Sequence, residues 1–267
     1  MTHDCEWRPN GLVTWTTDFG LQNAFVGTMR GVFHSQFPEG RWVDLTHGIP
    51  AQDKVAGAFE LRHAHGYFPS GTLHVAIVDP GVGTDRRILV AEQDGHLFLL
   101  PDNGLLGGVL DGEIRVWAPE SAPWELPNRG FTFHGRDVFA PMAAALAGGR
   151  LIPGVEDRFP HWDRGQVLRP ILQPEGHFEL TILMVDRFGN AVTNWDVSHS
   201  GPLPGGAEVR IGSHAVPIVN TYAEVPCTGV LALIDSHGHL EIAQRNGSAA
   251  EYFALGVGDV LQLRIKP

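Results

Sequence analysis

The most constraining feature of the chain is the run TLHVAIV at residues 72–78, which ends at once in Asp79, Pro80, Gly81, Val82 and Gly83. Strand side chains alternate between two faces, so apolar residues at consecutive positions mean burial on both sides, as in a parallel sheet covered by helices. The flanking sequence fits that layout. Leu12 to Thr17 reads as another strand, followed by DFG and then by Phe25, Met29, Val32 and Phe33 at helical spacing. RWVDLT at 41–46 reads as a strand, and Pro50 opens a helical stretch with Val55, Phe59 and His63 on one face. ILVAEQ and HLFLL flank Asp94-Gly95, a strong hairpin signal. Residues 137–147, DVFAPMAAALA, read as a helix despite Pro141.

Pro153, Pro160, Pro170 and Pro174 lie in a stretch without periodicity, about 150–176, where a domain boundary is expected. Beyond it come short strands with tight turns: FELTILMVD, NAVTNW, VRIG, AVPIV, GVLALID, HLEIAQ and VLQLRI. The expected fold is an α/β N-terminal domain with a mostly parallel central sheet, followed by a smaller all-β domain. No internal repeat or low-complexity tract interrupts it.

Composition limits the partners. The 267 residues, 43% hydrophobic and 18% charged, suffice for one large or two modest domains with an ordinary core. With 19 basic against 30 acidic residues, the net charge of -11 is the reverse of what a phosphate backbone requires, so nucleic acid is not expected as a partner. An acidic field favours a cationic small ligand, and also serves solubility. Cys5 and Cys227 are too few for a disulfide framework and lack zinc-site spacing. No leader-like segment or membrane-length apolar run is legible, so a cytoplasmic location and no membrane partner are expected. His63 and His65 face different ways on a helix, and His237 and His239 straddle Gly238; no metal site is expected.

In an open parallel sheet, ligands bind beyond the carboxyl ends of the strands. Asp18 and Asp79 stand at two such ends. Gly81 and Gly83 permit close backbone approach, and Arg86 lies within reach of Asp79. Position alone leaves open a loop-stabilising ion pair and a functional pair. His134, in FTFHGRD at the start of the 137–147 helix, reads either as a cap or as a neutral hydrogen-bonding group. Asp186 and Asn190 in DRFGN are compatible with plain turn chemistry. DFG and HGRD echo protein kinases, but they occur in the wrong order and without a nucleotide loop before them.

Taken together, TTDFGLQNAFVGTMRGV, VDLTHGIPAQD, VDPGVGTDRR, PDNGLL, FTFHGRDVFAP, VDRFGNAVTN, TYAEVP and LEIAQRNGSAAEYFALGVGD resemble the adenosine-forming S-adenosyl-L-methionine (SAM) hydrolases, or SAM hydroxide adenosyltransferases, relatives of fluorinase and chlorinase. The resemblance spans about residues 12–262. It implies an α/β SAM-binding and catalytic domain over 1–165, a β-barrel-like domain over 175–267 that completes the adenine and methionine site, and a homotrimer with SAM bound between subunits. It also implies that Asp79, Arg86 and His134 hold the attacking water and that Asp18 grips the ribose hydroxyls. Asn190 would read the adenine edge, Asp186 would face the methionine ammonium and Ser236 its carboxylate. Tyr222 would supply an aromatic face and Asn246 backbone contacts near adenine. Gln244-Arg245 departs from the commoner pattern on the adenine side. SAM would be the substrate, with no cofactor. A SAM-dependent halogenase and a non-catalytic SAM sensor are the rival readings. An anionic Asp79 argues against the first, and the Asp-Arg-His set would be superfluous in the second.

Overall fold

The computed structural model describes residues 7–120, 124–128, 130–150 and 159–265. The chain divides into two compact units, Met1–Val167 and Leu168–Pro267. Cys5 and the 151–158 part of the expected boundary lie outside the described residues.

The first unit runs β1 (Leu12–Thr17), α1 (Phe25–Gln36), β2 (Arg41–Thr46), α2 (Lys54–His65), β3 (Leu73–Ile77), β4 (Ile88–Gln93), β5 (His96–Pro101), α3 (Leu105–Val109), β6 (Arg115–Trp117), a π-helical turn (Gly135–Phe139) and α4 (Ala140–Ala147). Its six-stranded sheet has the order β2-β1-β3-β5-β4-β6. Three of its five strand pairings are parallel, so the expected parallel majority is present, interrupted by one strand. β2, β1, β3 and β5 are parallel, whereas β4 is antiparallel to both β5 and β6, so the sheet is mixed.

Burial on both faces explains the apolar run of β3. Leu73, Val75 and Ile77 join one core with Trp15, Met29, Phe33, Phe139 and Met142, while Ala76 and Val78 join another with Leu61, Phe98 and Leu106. Each such large side chain contributes roughly 1.5–3 kcal/mol on burial.

Two helices differ from expectation. α2 starts at Lys54 rather than near Pro50, because Asp53 caps it by accepting Ala56 N–H at 2.9 Å and the preceding Gln52 has φ +65°. Its buried face carries Ala56, Ala58, Phe59 and Leu61, and Val55 is exposed. The 137–147 helix begins as a π turn, in which Ala140 N–H reaches back to Gly135 O. Pro141 cannot donate to the Asp137 carbonyl four residues back; that carbonyl accepts Leu126 N–H instead, at 3.0 Å.

The second unit contains β7 (Ile171–Leu172), β8 (His177–Val185), β9 (Ala191–Asp196), α5 (Val197–Ser200), β10 (Ala207–Ile211), β11 (His214–Val216), a 3-10 turn (Tyr222–Glu224), β12 (Val230–Ile234), β13 (His239–Gln244), α6 (Ala249–Phe253) and β14 (Val260–Ile265). Its strands follow the order β11-β10-β14-β8-β9-β13-β12 in antiparallel pairs, with β7 against β8. Ile218, just past β11, bridges Ala232 of β12, so the sheet curls into a nearly closed barrel. Leu180, Ile182, Trp195, Leu240, Ile242 and Leu263 fill it. No helix among the described residues is long and apolar enough to cross a membrane.

Candidate active site

The strand order of the first unit reverses at β1 and β3. From β1 the chain passes through α1 to β2 on one side, then through α2 to β3 on the other. Thr17 pairs in register with Ile77, so Asp18 and Asp79 leave the sheet together at the crevice where open α/β sheets receive ligands.

Asp79 and Arg86 form a buried pair, with side chains 4% and 8% exposed. Arg86 Nε donates to Oδ2 of Asp79 at 2.7 Å, and Nη2 lies 2.5 Å from the same oxygen as an ion pair. Oδ1 is also buried and has no hydrogen-bond partner among the described residues. The guanidinium thus fixes the carboxylate through one oxygen and leaves the other with unused acceptor capacity. Tight turns hold the intervening loop: Thr84 N–H and Oγ1 both bond to Gly81 O, and Gly83 has φ +81°. A Cβ at Gly83 would lie 2.8 Å from Phe131 O, so the loop needs glycine there twice over.

Arg86 Nη2 also lies 2.9 Å from His134 Nδ1. His134 is buried and occupies the N-cap of the π turn without a side-chain capping bond, so its role is not that of a cap. Next to it, Arg136 pairs with Asp137, which also accepts Gly130 N–H at 2.9 Å. The Arg136 hydrogen bond holds the Asp137 carboxyl below the usual carboxylate range, against the opposing effect of burial. This pair ties down the segment that carries His134, a role the sequence did not disclose.

Asp18 is half-buried and accepts Gln52 N–H at 2.8 Å through Oδ2. Behind it, His47 joins Thr17 Oγ1 (2.8 Å) to Asp44 Oδ1 (3.1 Å). His47 O accepts Gly20 N–H at 2.8 Å, and Thr17 Oγ1 accepts Phe19 N–H at 3.2 Å. Burial raises the Asp44 pKa, but hydrogen bonds from Arg30, Trp42 and His47 outweigh it and bring it down to about 2. VDLTHGIPAQD therefore shapes the turn that presents Asp18, and only its position inside a motif could have signalled that.

In the second unit, a pocket of about 750 Å³ is lined by residues including Phe188, Asn190, Tyr222, Arg245, Asn246 and Ser248. Asp186 folds the DRFGN turn, with Oδ1 accepting the N–H groups of Phe188 and Asn190 and Oδ2 accepting Asn190 Nδ2 at 2.9 Å. Its turn chemistry thereby orients Asn190 on the pocket wall. A Cβ at Gly189 would meet Ser248, so the two wall segments pack directly on each other. Asn246 has φ +56° and donates to Cys227 Sγ at 3.5 Å. Ser236 stands outside this lining, exposed in the turn between β12 and β13.

Arg245, half of the departure from the common pattern, is turned to backbone: Nη1 donates to Val225 O at 2.7 Å and Ala223 O at 3.4 Å. Tyr222 OH donates to Glu241 Oε1 at 2.7 Å. Sequence reading missed Glu241, although a carboxylate inside the otherwise apolar strand LEIA was its signal. Among the described residues, no group of three or more His, Cys, Asp or Glu side chains is arranged to hold a metal ion.

Residues 13–156 match the SAM hydroxide adenosyltransferase N-terminal domain, and residues 180–262 match the SAM hydroxide adenosyltransferase C-terminal domain. The chain belongs to the SAM hydroxide adenosyltransferase family. Family relatives named (R)-S-adenosyl-L-methionine hydrolase include one from Thermus thermophilus, 38% identical over 95% of this chain and 98% of its own length. Another, from Salinispora arenicola, is 36% identical over 95% of this chain and 97% of its own. The crystal structure of an uncharacterized conserved protein from Thermotoga maritima superposes with a TM-score of 0.81 at 30% identity, covering 94% of this chain and 99% of that one.

Proposed function

We infer that this member of the family hydrolyses SAM to adenosine and L-methionine. The observation that carries the chemistry is Asp79, held by Arg86 through Oδ2 while the buried Oδ1 keeps its acceptor capacity. SAM needs no acid for departure, because its sulfonium leaves as a neutral thioether. The reaction needs a placed nucleophile. Water donates one proton to Asp79 Oδ1 as its oxygen approaches the ribose 5′ carbon. The carbon–oxygen bond forms while the carbon–sulfur bond breaks, and that electron pair goes to sulfur. Asp79 then releases the proton to solvent. A carboxylate is too weak a base to generate hydroxide beforehand, so proton transfer accompanies attack. Arg86 and His134 orient the oxygen, a positioning effect of several kcal/mol.

In this reading Asp18 grips the ribose hydroxyls and the pocket of the second unit takes the adenine, with Asn190 at its edge, Tyr222 as an aromatic wall and Asn246 giving backbone contacts. Asp186 and Ser236 bind the methionine ammonium and carboxylate. The α/β catalytic domain spans 1–165 and the barrel-like domain 175–267. Three copies assemble, each site taking residues from neighbouring subunits. The enzyme works in the cytoplasm, without metal or cofactor; the donor set supports the metal-free reading, since no ligand cluster forms among the described residues. A halide would meet the negative Asp79, which disfavours halogenation.

Incubation with SAM in ¹⁸O-labelled water, with and without chelator, tests the proposal. Labelled adenosine and methionine should form equally in both. Label absent from adenosine, or activity lost to chelator and restored by a divalent ion, would overturn it.

A further inference from the structure

We propose that Glu241 is a positioning residue for substrate binding, holding Tyr222 as a fixed wall of the second-unit pocket. This rests on the reading that the pocket takes the adenosyl end of SAM. Tyr222 is 43% exposed, so packing alone does not fix its ring. Three hydrogen bonds to residues of β13 and its exit do so. Glu241, buried on β13, accepts the hydroxyl at 2.7 Å, and Arg245 grips the carbonyls of Ala223 and Val225 just beyond the ring's own backbone. The turn is stiffened further by a capping box. Thr221 Oγ1 accepts Ala223 N–H, and Glu224 Oε1 accepts the N–H groups of Asn220 and Thr221 at 3.1 and 3.0 Å. An aromatic wall held at its hydroxyl and at its backbone is preorganised, which spares a ligand the cost of ordering it.

The choice of a carboxylate is informative. A glutamine could accept the same hydroxyl without the cost of burying a charge. Burial, with Asp186 and Asp235 adding like charge, pushes the Glu241 pKa up to about 7 although the Tyr222 bond opposes this. The strands on either side present Val192 and Leu233 to Glu241, neither of which titrates, and His239 two positions earlier bonds to Thr193 O through Nδ1. When ionised, Glu241 accepts the phenol in a charge-assisted bond, stronger than the bond to its neutral form. Tyr222 should therefore be held most firmly above about pH 7, and substrate binding should weaken as pH falls through that value.

The test is steady-state SAM kinetics from pH 5.5 to 9 for wild type, Glu241→Ala, Glu241→Gln, Tyr222→Phe, the Glu241→Ala/Tyr222→Phe pair and Asn190→Ala, with circular dichroism to verify folding. Glu241→Ala and Tyr222→Phe should each raise KM about tenfold with kcat changed less than about threefold, and the pair should be no worse than either. Glu241→Gln should recover most of the affinity at neutral pH and remove the rise of KM below pH 7. Asn190→Ala should raise KM independently, as a second lining residue. A wild-type KM in folded Glu241→Ala, or penalties that add in the double variant, would overturn the role of Glu241 while leaving the pocket reading intact. A wild-type KM in Asn190→Ala and Glu241→Ala alike would overturn the pocket reading itself.

Discussion

Arg86 Nη2 donates to His134 Nδ1 across 2.9 Å, and because a guanidinium can only donate, the imidazole is neutral with its proton on Nε2. One guanidinium thereby sets the orientation of the carboxylate and the tautomer of the ring together. A lysine carries the charge but cannot reach both partners with a planar fork. Arg86→Lys should lower kcat by about a hundredfold, the scale of losing reactant alignment, with SAM affinity nearly unchanged. Single-turnover kinetics alongside calorimetry would separate the two; a variant with full kcat would show that the span of Arg86 is immaterial.

Asp79→Asn keeps the size of the side chain and removes its basicity. Turnover should fall by roughly two to four orders of magnitude while SAM binding is retained or improved. The substitution also leaves a buried guanidinium without its counter-charge, so thermal unfolding must accompany the assay. Hydrolysis at the wild-type rate by the folded variant would remove Asp79 from proton transfer.

Asp18 acts in the ground state and the transition state alike, so its loss should appear in binding. Asp18→Ala should weaken SAM affinity by about 1–3 kcal/mol with a smaller change in kcat. Calorimetric affinity equal to wild type would mean that the ribose is held elsewhere.

Gly135 follows His134 at the start of the π turn, where an added Cβ would lie 2.9 Å from Phe19, 3.0 Å from the Met29 sulfur and 3.1 Å from Phe133. Gly135→Ala should cost about 1–3 kcal/mol of stability through overpacking and lower kcat by displacing His134. Denaturant titration and kinetics on the same sample test both halves, and an unperturbed enzyme would show that the turn absorbs the methyl group.

His74 is buried between Thr14 Oγ1 at 2.8 Å and His96 Nδ1 at 3.0 Å, with the His65 ring 5.9 Å from both imidazoles. Burial, then the neighbouring His96 and His65, holds the His74 pKa well below its ordinary 6.5. Burial and His65 lower that of His96, with Asp94 opposing. The unfolded chain therefore protonates first as pH falls. Stability should be full above about pH 6.5 and decline as pH drops from there toward the folded-state values. Urea midpoints from pH 7.5 to 5 should show this slope, and His74→Phe should flatten it; an unchanged slope in that variant would assign the protons to other groups.

Much of this architecture was legible because its signals are local. Asp94 and Gly95 both take positive φ, as the hairpin dipeptide predicted, and the apolar run of β3 announced burial on two faces. What escaped depends on partners distant in sequence. That β5 rather than β4 lies beside β3 is decided by packing, and no periodicity encodes it. At the π turn, the Asp137 carbonyl that Pro141 cannot reach is taken by Leu126 N–H, eleven residues earlier, a partner no local pattern announces. Asp79 and Arg86 stand seven residues apart and could be paired by inspection, whereas Tyr222 and Glu241 meet only because β13 passes beneath the 3-10 turn.

The bridge from Ile218 to Ala232 has a consequence for the behaviour of the protein in a crowded solution. Val219 N–H bonds to Ala232 O, and Ala232 N–H bonds to Pro217 O, so both backbone groups at the centre of the β12 edge are satisfied within the same chain. An open strand edge rich in valine, leucine and isoleucine, as VLALI is, would template pairing with another molecule. Curling the sheet until its ends meet withdraws that template, and so guards the second unit against edge-to-edge aggregation.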